Sequence, residues 1–310
     1  MARFDFVSRE AFSLAFLVAL AGSAVIAVTA LAYQRWRATN RVFPVAGLVG
    51  VGAAILALRE TDAVLGDADD LYRGLAALAA AGLVAAIPKV PWFVRLVTLV
   101  PGAVLVSDAA SSVTHSKIGG DWVRVLVLVA VVAAGTAIVG FDRHYARDGL
   151  GPVALAVTAG GVFLCVPDTE QALSLVGAFA AVALLGWPKP LCSLGAAGAA
   201  PAVGLVAWTT AVGGRGRPAS IVGGIACVGL LLLEPAVRSL LRSRARPAPR
   251  EPWSRDALVI VAIHLGVVVL CSRLAGSRSS ATVAAVVVIV VFSTAGLLLW
   301  RRILPAHVPT

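Results

Sequence analysis

The chain has 310 residues, of which 59% are hydrophobic and only 14% charged, with a mean hydropathy of +0.93. A water-soluble surface needs roughly 25% charged residues, so this composition excludes an ordinary soluble domain and points to a chain solvated by lipid. The net charge of +10 does not point to nucleic acid, because no basic stripe interleaved with aromatics lies on a polar surface. Arginines gathered in short loops between apolar runs account for it.

In chain order, apolar runs occupy 11–33, 42–58, 74–88, 95–109, 122–141, 150–166, 171–187, 190–212, 220–237, 257–272 and 280–300. Most approach the roughly 20 residues that carry a helix across a hydrocarbon core. Their backbone polar groups must be satisfied within each segment, and the period-2 alternation of barrel strands is absent, so helices are the expected form. The expected fold is thus all-α, a polytopic transmembrane bundle of about eleven spans. The first run follows Arg3 and Arg9 and ends in Ala30, Leu31 and Ala32, as a secretory signal does. Its apolar stretch exceeds a signal core and "QRWR" follows it, so residues 1–41 are expected to stay as an anchor helix.

Alternate loops share a sign. Arg35, Arg37 and Arg41 follow the first span, Lys89 and Arg95 the third, Arg143 and Arg147 the fifth, and Lys189 the seventh. The loop at 238–256 carries Arg238, Arg242, Arg244, Arg246, Arg250 and Arg255, and Arg301 with Arg302 closes the last span. By the positive-inside rule these loops face the cytoplasm, with the N-terminus outside and the C-terminus inside a plasma membrane. The loops on the other side fit: residues 59–73 carry Glu60, Asp62, Asp67, Asp69 and Asp70 against Arg59 and Arg73, and 167–170 is purely acidic. Arg215, Arg217, Arg273 and Arg278 run against this assignment.

The acidic loops also reveal an internal repeat. "AILALRETDA" at 54–63 sets over "VFLCVPDTEQ" at 162–171, aligning two acid-Thr-acid triplets at an offset of 108. After the insert "VLGDADDL" the offset becomes 100, and Pro88, Lys89 and Pro101 meet Pro188, Lys189 and Pro201. Two of the chain's three lysines thereby fall at matching positions. The expected organisation is one transmembrane domain: the anchor, a first four-helix unit at 42–149, a second at 150–256, and a decayed partial third at 257–310. Units of four spans return the chain to its starting side, so the copies are parallel repeats.

The triplets Glu60, Thr61, Asp62 and Asp168, Thr169, Glu170 are the leading site candidates. Converging turns from two related copies can hold a cation, a transported proton, or a metal that grips a phosphate. Alternatively Asp168 and Thr169 cap the following helix and the acids complement its dipole. Asp108, beside Ser107, Ser111 and Ser112, extends a polar cleft on the same side. The run Asp67, Ala68, Asp69, Asp70 lacks the ligand spacing of a Ca²⁺ loop and reads as a solvated loop. Ionisable groups inside spans are costly and therefore informative: His264 serves either as a proton relay or as a hydrogen-bond donor between helices, and Glu234 pairs with Arg238 one turn on.

The cysteines Cys165, Cys192, Cys227 and Cys271 lie in or beside apolar runs without metal-ligand spacing and read as small packing residues. No phosphate-binding loop, zinc signature or nucleophile elbow occurs, so no metal site or cofactor is expected and catalytic residues are not identified. The expected partners are the lipid bilayer and, through 238–256, either anionic headgroups or a cytoplasmic protein. The function these readings suggest is a transporter-like membrane protein with an outward acidic site. The alternatives are a glycosyltransferase-like membrane enzyme acting on a lipid-linked phosphate and a structural subunit of a cell-envelope complex.

Overall fold

A computed structural model describes residues 2–37, 44–87, 90–118, 120–145, 150–166, 169–186, 193–214, 217–218 and 220–227. Eight helices run through them: α1 (Ala2–Arg37), α2 (Ala46–Glu60), α3 (Ala68–Ala86), α4 (Trp92–Ile118), α5 (Gly120–Tyr145), α6 (Leu150–Cys165), α7 (Glu170–Gly186) and α8 (Ala196–Gly213). Each of the first eight apolar runs is a helix, and the described residues contain no strand. Asp168, Glu234, His264, the 238–256 loop, the last two expected spans and the partial third unit at 257–310 lie outside the described residues.

Among the described residues, three helical stretches are long and apolar enough to cross a membrane: Glu10–Thr29 in α1, Phe93–Thr114 in α4 and Ala196–Gly213 in α8. They fit a membrane location. Shorter apolar helices are Gly151–Cys165 and Glu170–Leu184. Burial sorts the three long ones. The stretch in α8 is 89% buried inside the protein and that in α1 only 28%, so α8 is the central helix and α1 a peripheral one. Their composition agrees, because α8 carries no charged residue and is apolar on nearly every side, Thr209 and Thr210 apart, as a helix surrounded by others must be. On α1, Leu17, Val25, Val28 and Leu31 are exposed, the side chains that lipid would cover.

Helix α8 packs against α2, α3, α4 and α5, while α1 lies on α7 and α2. Small residues set the closest approaches. A Cβ on Gly47 of α2 would stand 2.8 Å from backbone atoms of Leu194 and Gly198, and one on Gly198 would strike the Leu48 nitrogen. Bare backbones thus pass each other where a side chain would hold them apart, as in membrane helix pairs.

Helix ends collect at two poles. At one, the Ala46 and Gly47 amides that begin α2 donate to the Ser193 and Leu194 carbonyls, each at 3.0 Å. Asp142 near the end of α5 accepts from Leu194 and Gly195, Gly82 near the end of α3 lies against Ala196, and Gly151 at the start of α6 lies against Asp142. At the other pole, Gly66 between α2 and α3 rests on Ala109 and Ser112 of α4, and Gly213 of α8 rests on Val166 and Thr169. From α2 to α8, successive helices therefore run in alternating directions. Helix α3 lies on α4 and α8, and α7 lies on α1, α6 and α2.

Several helices outrun the expected spans, among them α1 from Ala2 and α4 to Ile118, and two boundaries have a specific local cause. Helix α8 begins at Ala196 and not at 190, because Gly195 adopts φ 71°, left-handed and outside the helical range. The acidic run at 67–70 is not a free loop. Asp67 is the N-cap of α3, its side chain accepting from the Asp70 amide at 3.1 Å, and Asp69 and Asp70 occupy the first turn, where carboxylates complement the helix dipole.

Candidate functional site

The acidic pole is built from the end of α2 and the start of α7. Helix α2 closes with two backbone bonds, Ala63 N–H to Leu58 at 2.8 Å and Asp62 N–H to Arg59 at 3.2 Å. This pair defines a Schellman ending, whose C′ residue must be left-handed. That residue is Asp62, with φ 50°, a conformation that Asp tolerates better than most side chains and glycine better still. Thr61 Oγ1 donates back to the Ala57 carbonyl at 2.8 Å, so its hydroxyl serves the helix end. The turn leaves Glu60 and Asp62 exposed.

Helix α7 begins with a cap of its own. The buried Thr169 Oγ1 accepts from the Ala172 amide at 3.3 Å and donates to the Val166 carbonyl at 3.1 Å, and Glu170, half-buried, occupies the first turn. The capping role read from the sequence for Thr169 is thus present. Its companion Asp168 falls outside the described residues.

One bond joins the two turns. Gln171 is 3% exposed, and its Nε2 donates to the Ala63 carbonyl at 2.6 Å. It brings Glu60, Thr61 and Asp62 to the same pole as Thr169 and Glu170, with the cap of α3 close behind. Sequence reasoning missed Gln171 as a site residue, although it ends the very stretch aligned for the repeat. Asp108 turns elsewhere: its carboxylate takes a two-pronged bond from Arg124 of α5, at 2.5 Å to Nε and 3.2 Å to Nη2. It therefore braces α4 against α5. Among the described residues, no three His, Cys, Asp or Glu side chains gather in a metal-holding group.

No family model matches the chain, and no curated protein is significantly similar to it.

At the opposite pole stands Asp142, which no sequence pattern singles out. It is 3% exposed, and its two carboxylate oxygens accept from the Leu194 and Gly195 amides at 2.9 Å each, with Ser193 adding a side-chain bond. It thus caps α8 from another helix, a role Gly195 cannot fill. The residue lies one position past the apolar 122–141 run. Burial pushes its carboxyl up to about 6, against the three hydrogen bonds that favour the carboxylate. At 193–195 the Leu194 and Gly195 amides go to Asp142, and the three carbonyls take the α2 amides and those of Gly198 and Ala199. Cys165 and Cys227 are buried.

Proposed function

We propose that this is a multi-pass plasma-membrane protein, transporter-like, whose acidic pole faces outward and attracts cationic or protonatable solutes. The reading rests on the Gln171 to Ala63 bond, which ties the turn bearing Glu60, Thr61 and Asp62 to the start of α7, where Thr169 and Glu170 stand. Three further features support it. Helices α2 to α8 alternate in direction, which puts Glu60 and Asp62 at the opposite end from Arg95 near the start of α4 and Arg143 near the end of α5. Carboxylates crowded at one pole lower the local potential and raise cation concentration there. Asp62 holds a left-handed position that glycine would fill more easily, so the carboxylate is kept at a cost to stability.

In this account about eleven spans and two parallel four-helix units frame the corner, with the N-terminus outside and the C-terminus in the cytoplasm. The deciding experiment measures thermal stability of the purified chain in lipid nanodiscs against added Na⁺, Mg²⁺ and Ca²⁺. One of these should raise the unfolding temperature of the wild type, and Glu60→Gln with Asp168→Asn should abolish the rise. A wild type indifferent to all three removes the cation-attracting corner. Turnover of a lipid-linked phosphate that EDTA stops would favour the enzyme reading instead.

A further inference from the structure

Helix α5 turns its two sides to different surroundings. Val123, Val127 and Val131 are fully buried where α5 packs on α4 and α8, while on the far side Val125 and Val129 are each 58% exposed. That outer side carries an open groove of about 570 Å³, lined by Asp121, Trp122, Val125, Leu126 and Val129. Its walls are apolar. Eight residues of helix separate its two ends, about 12 Å at 1.5 Å per residue.

Trp122 marks the depth. The bond from Arg124 to Asp108 ties the first turns of α5 to the last turns of the apolar stretch in α4, which ends at Thr114. The indole ring therefore stands at the edge of the apolar layer, the level at which tryptophan collects in membrane proteins. Beyond it Asp121 is exposed in the first turn of α5. Arg124 lies three positions on, within reach of Asp121 along the helix, yet its guanidinium is engaged by Asp108. The carboxylate at the rim has no ion-pair partner among the described residues.

We propose that this groove seats a membrane phospholipid bearing a primary amine, its acyl chain along Val125, Leu126 and Val129 and its ammonium on the Asp121 carboxylate. The groove is open along its length, which selects the chain. A water-soluble ligand needs most of its surface covered, whereas an acyl chain can leave its outer side against other lipid, which is as apolar as leucine. The rim selects the headgroup. A primary ammonium donates three hydrogen bonds and a quaternary one none, and bonds between ammonium and carboxylate are about twice as strong as neutral ones. An anionic headgroup is repelled there. The inference rests on the membrane location of the bundle and is independent of the transporter reading.

The test places the full chain in nanodiscs of phosphatidylcholine or of phosphatidylethanolamine. Each holds a trace of phosphatidylethanolamine with a photoactivated diazirine in its acyl chain, and adducts are mapped by mass spectrometry. At 125–129 the yield should be severalfold higher in the phosphatidylcholine discs, where the probe has no competitor. At Val97, exposed on α4, the two yields should be equal. Asp121→Asn should remove the contrast at 125–129, and Val125→Trp, which fills the groove from an exposed position, should lower the yield there in both discs. Equal yields at 125–129 in the wild type, or a contrast unchanged by Asp121→Asn, overturn the proposal. So does a wild type without adducts at 125–129, whether that face is bare or covered by a second copy, which a dimer mass after crosslinking would reveal.

Discussion

Gln171 and Ala63 are joined by a 2.6 Å hydrogen bond and are separated by 108 residues, the same offset that superimposes the two acid-Thr-acid triplets. Positions matched by sequence are thus neighbours in space. Replacing Gln171 by Ala leaves the Ala63 carbonyl without its donor next to a small void. A loss of about 1 to 3 kcal/mol is expected, seen as a lower unfolding temperature in nanodiscs. An unchanged value would mean that the bond does not hold the corner together.

Asp62 offers a test that separates stability from function. Glycine at this left-handed position relieves backbone strain, so Asp62→Gly should stabilise the protein by about 1 kcal/mol. The same change should weaken the cation response of the corner. Reduced stability in the glycine variant would show that the carboxylate contributes to the α2 ending by itself.

Asp142 makes the folded state sensitive to pH. Its carboxyl is raised from 3.8 to about 6 on folding, so its contribution is fully present below pH 3.8 and is lost as pH rises through 6. Asn at this position keeps one acceptor and turns an amide N–H toward a backbone N–H, costing roughly 2 kcal/mol. The gap in unfolding temperature between wild type and Asp142→Asn should be widest near pH 4 and narrow through pH 6. A gap independent of pH would contradict the buried titration.

Two glycine substitutions should diverge. Gly195→Ala combines a left-handed φ with a clash on the Pro44 carbonyl, and loss of folded protein is expected. Gly52→Ala, on α2 with nothing within 4 Å of its added carbon, should be neutral or stabilise by up to about 1 kcal/mol through helix propensity. Yields and unfolding temperatures of the two variants, compared directly, check this.

The pattern of apolar runs was enough to find all eight described helices, because a lipid-solvated helix announces itself in composition. Its ends were less legible. Asp67 and Asp70 have the spacing of an N-cap and its third helical residue, a signal that a charge count over "DADD" obscured. The start of α8 depends on Gly195 and on a carboxylate 53 residues away, and no local pattern encodes that. Asp142 stands in "FDRHYARD", where flanking charges make it look like any membrane-surface residue; its burial arises only when α5, α6 and α8 meet. Asp108 was read as part of a polar cleft because its neighbours are serines. Those hydroxyls bond within their own helix, Ser107 to Val104, Ser111 to Asp108 and Ser112 to Ala109, and Arg124 takes the carboxylate. The two triplets align in the sequence, whereas the bond from Gln171 to Ala63 leaves no trace there, since a buried amide's partner is a tertiary fact.

The account stands most directly on which side of the membrane the acidic pole faces. In a background without the four native cysteines, Asp62→Cys and Ser243→Cys should be treated in intact cells with a membrane-impermeant maleimide. Labelling at position 62, with position 243 reacting only after permeabilisation, is the expected result. Labelling at 243 with protection at 62 would contradict it.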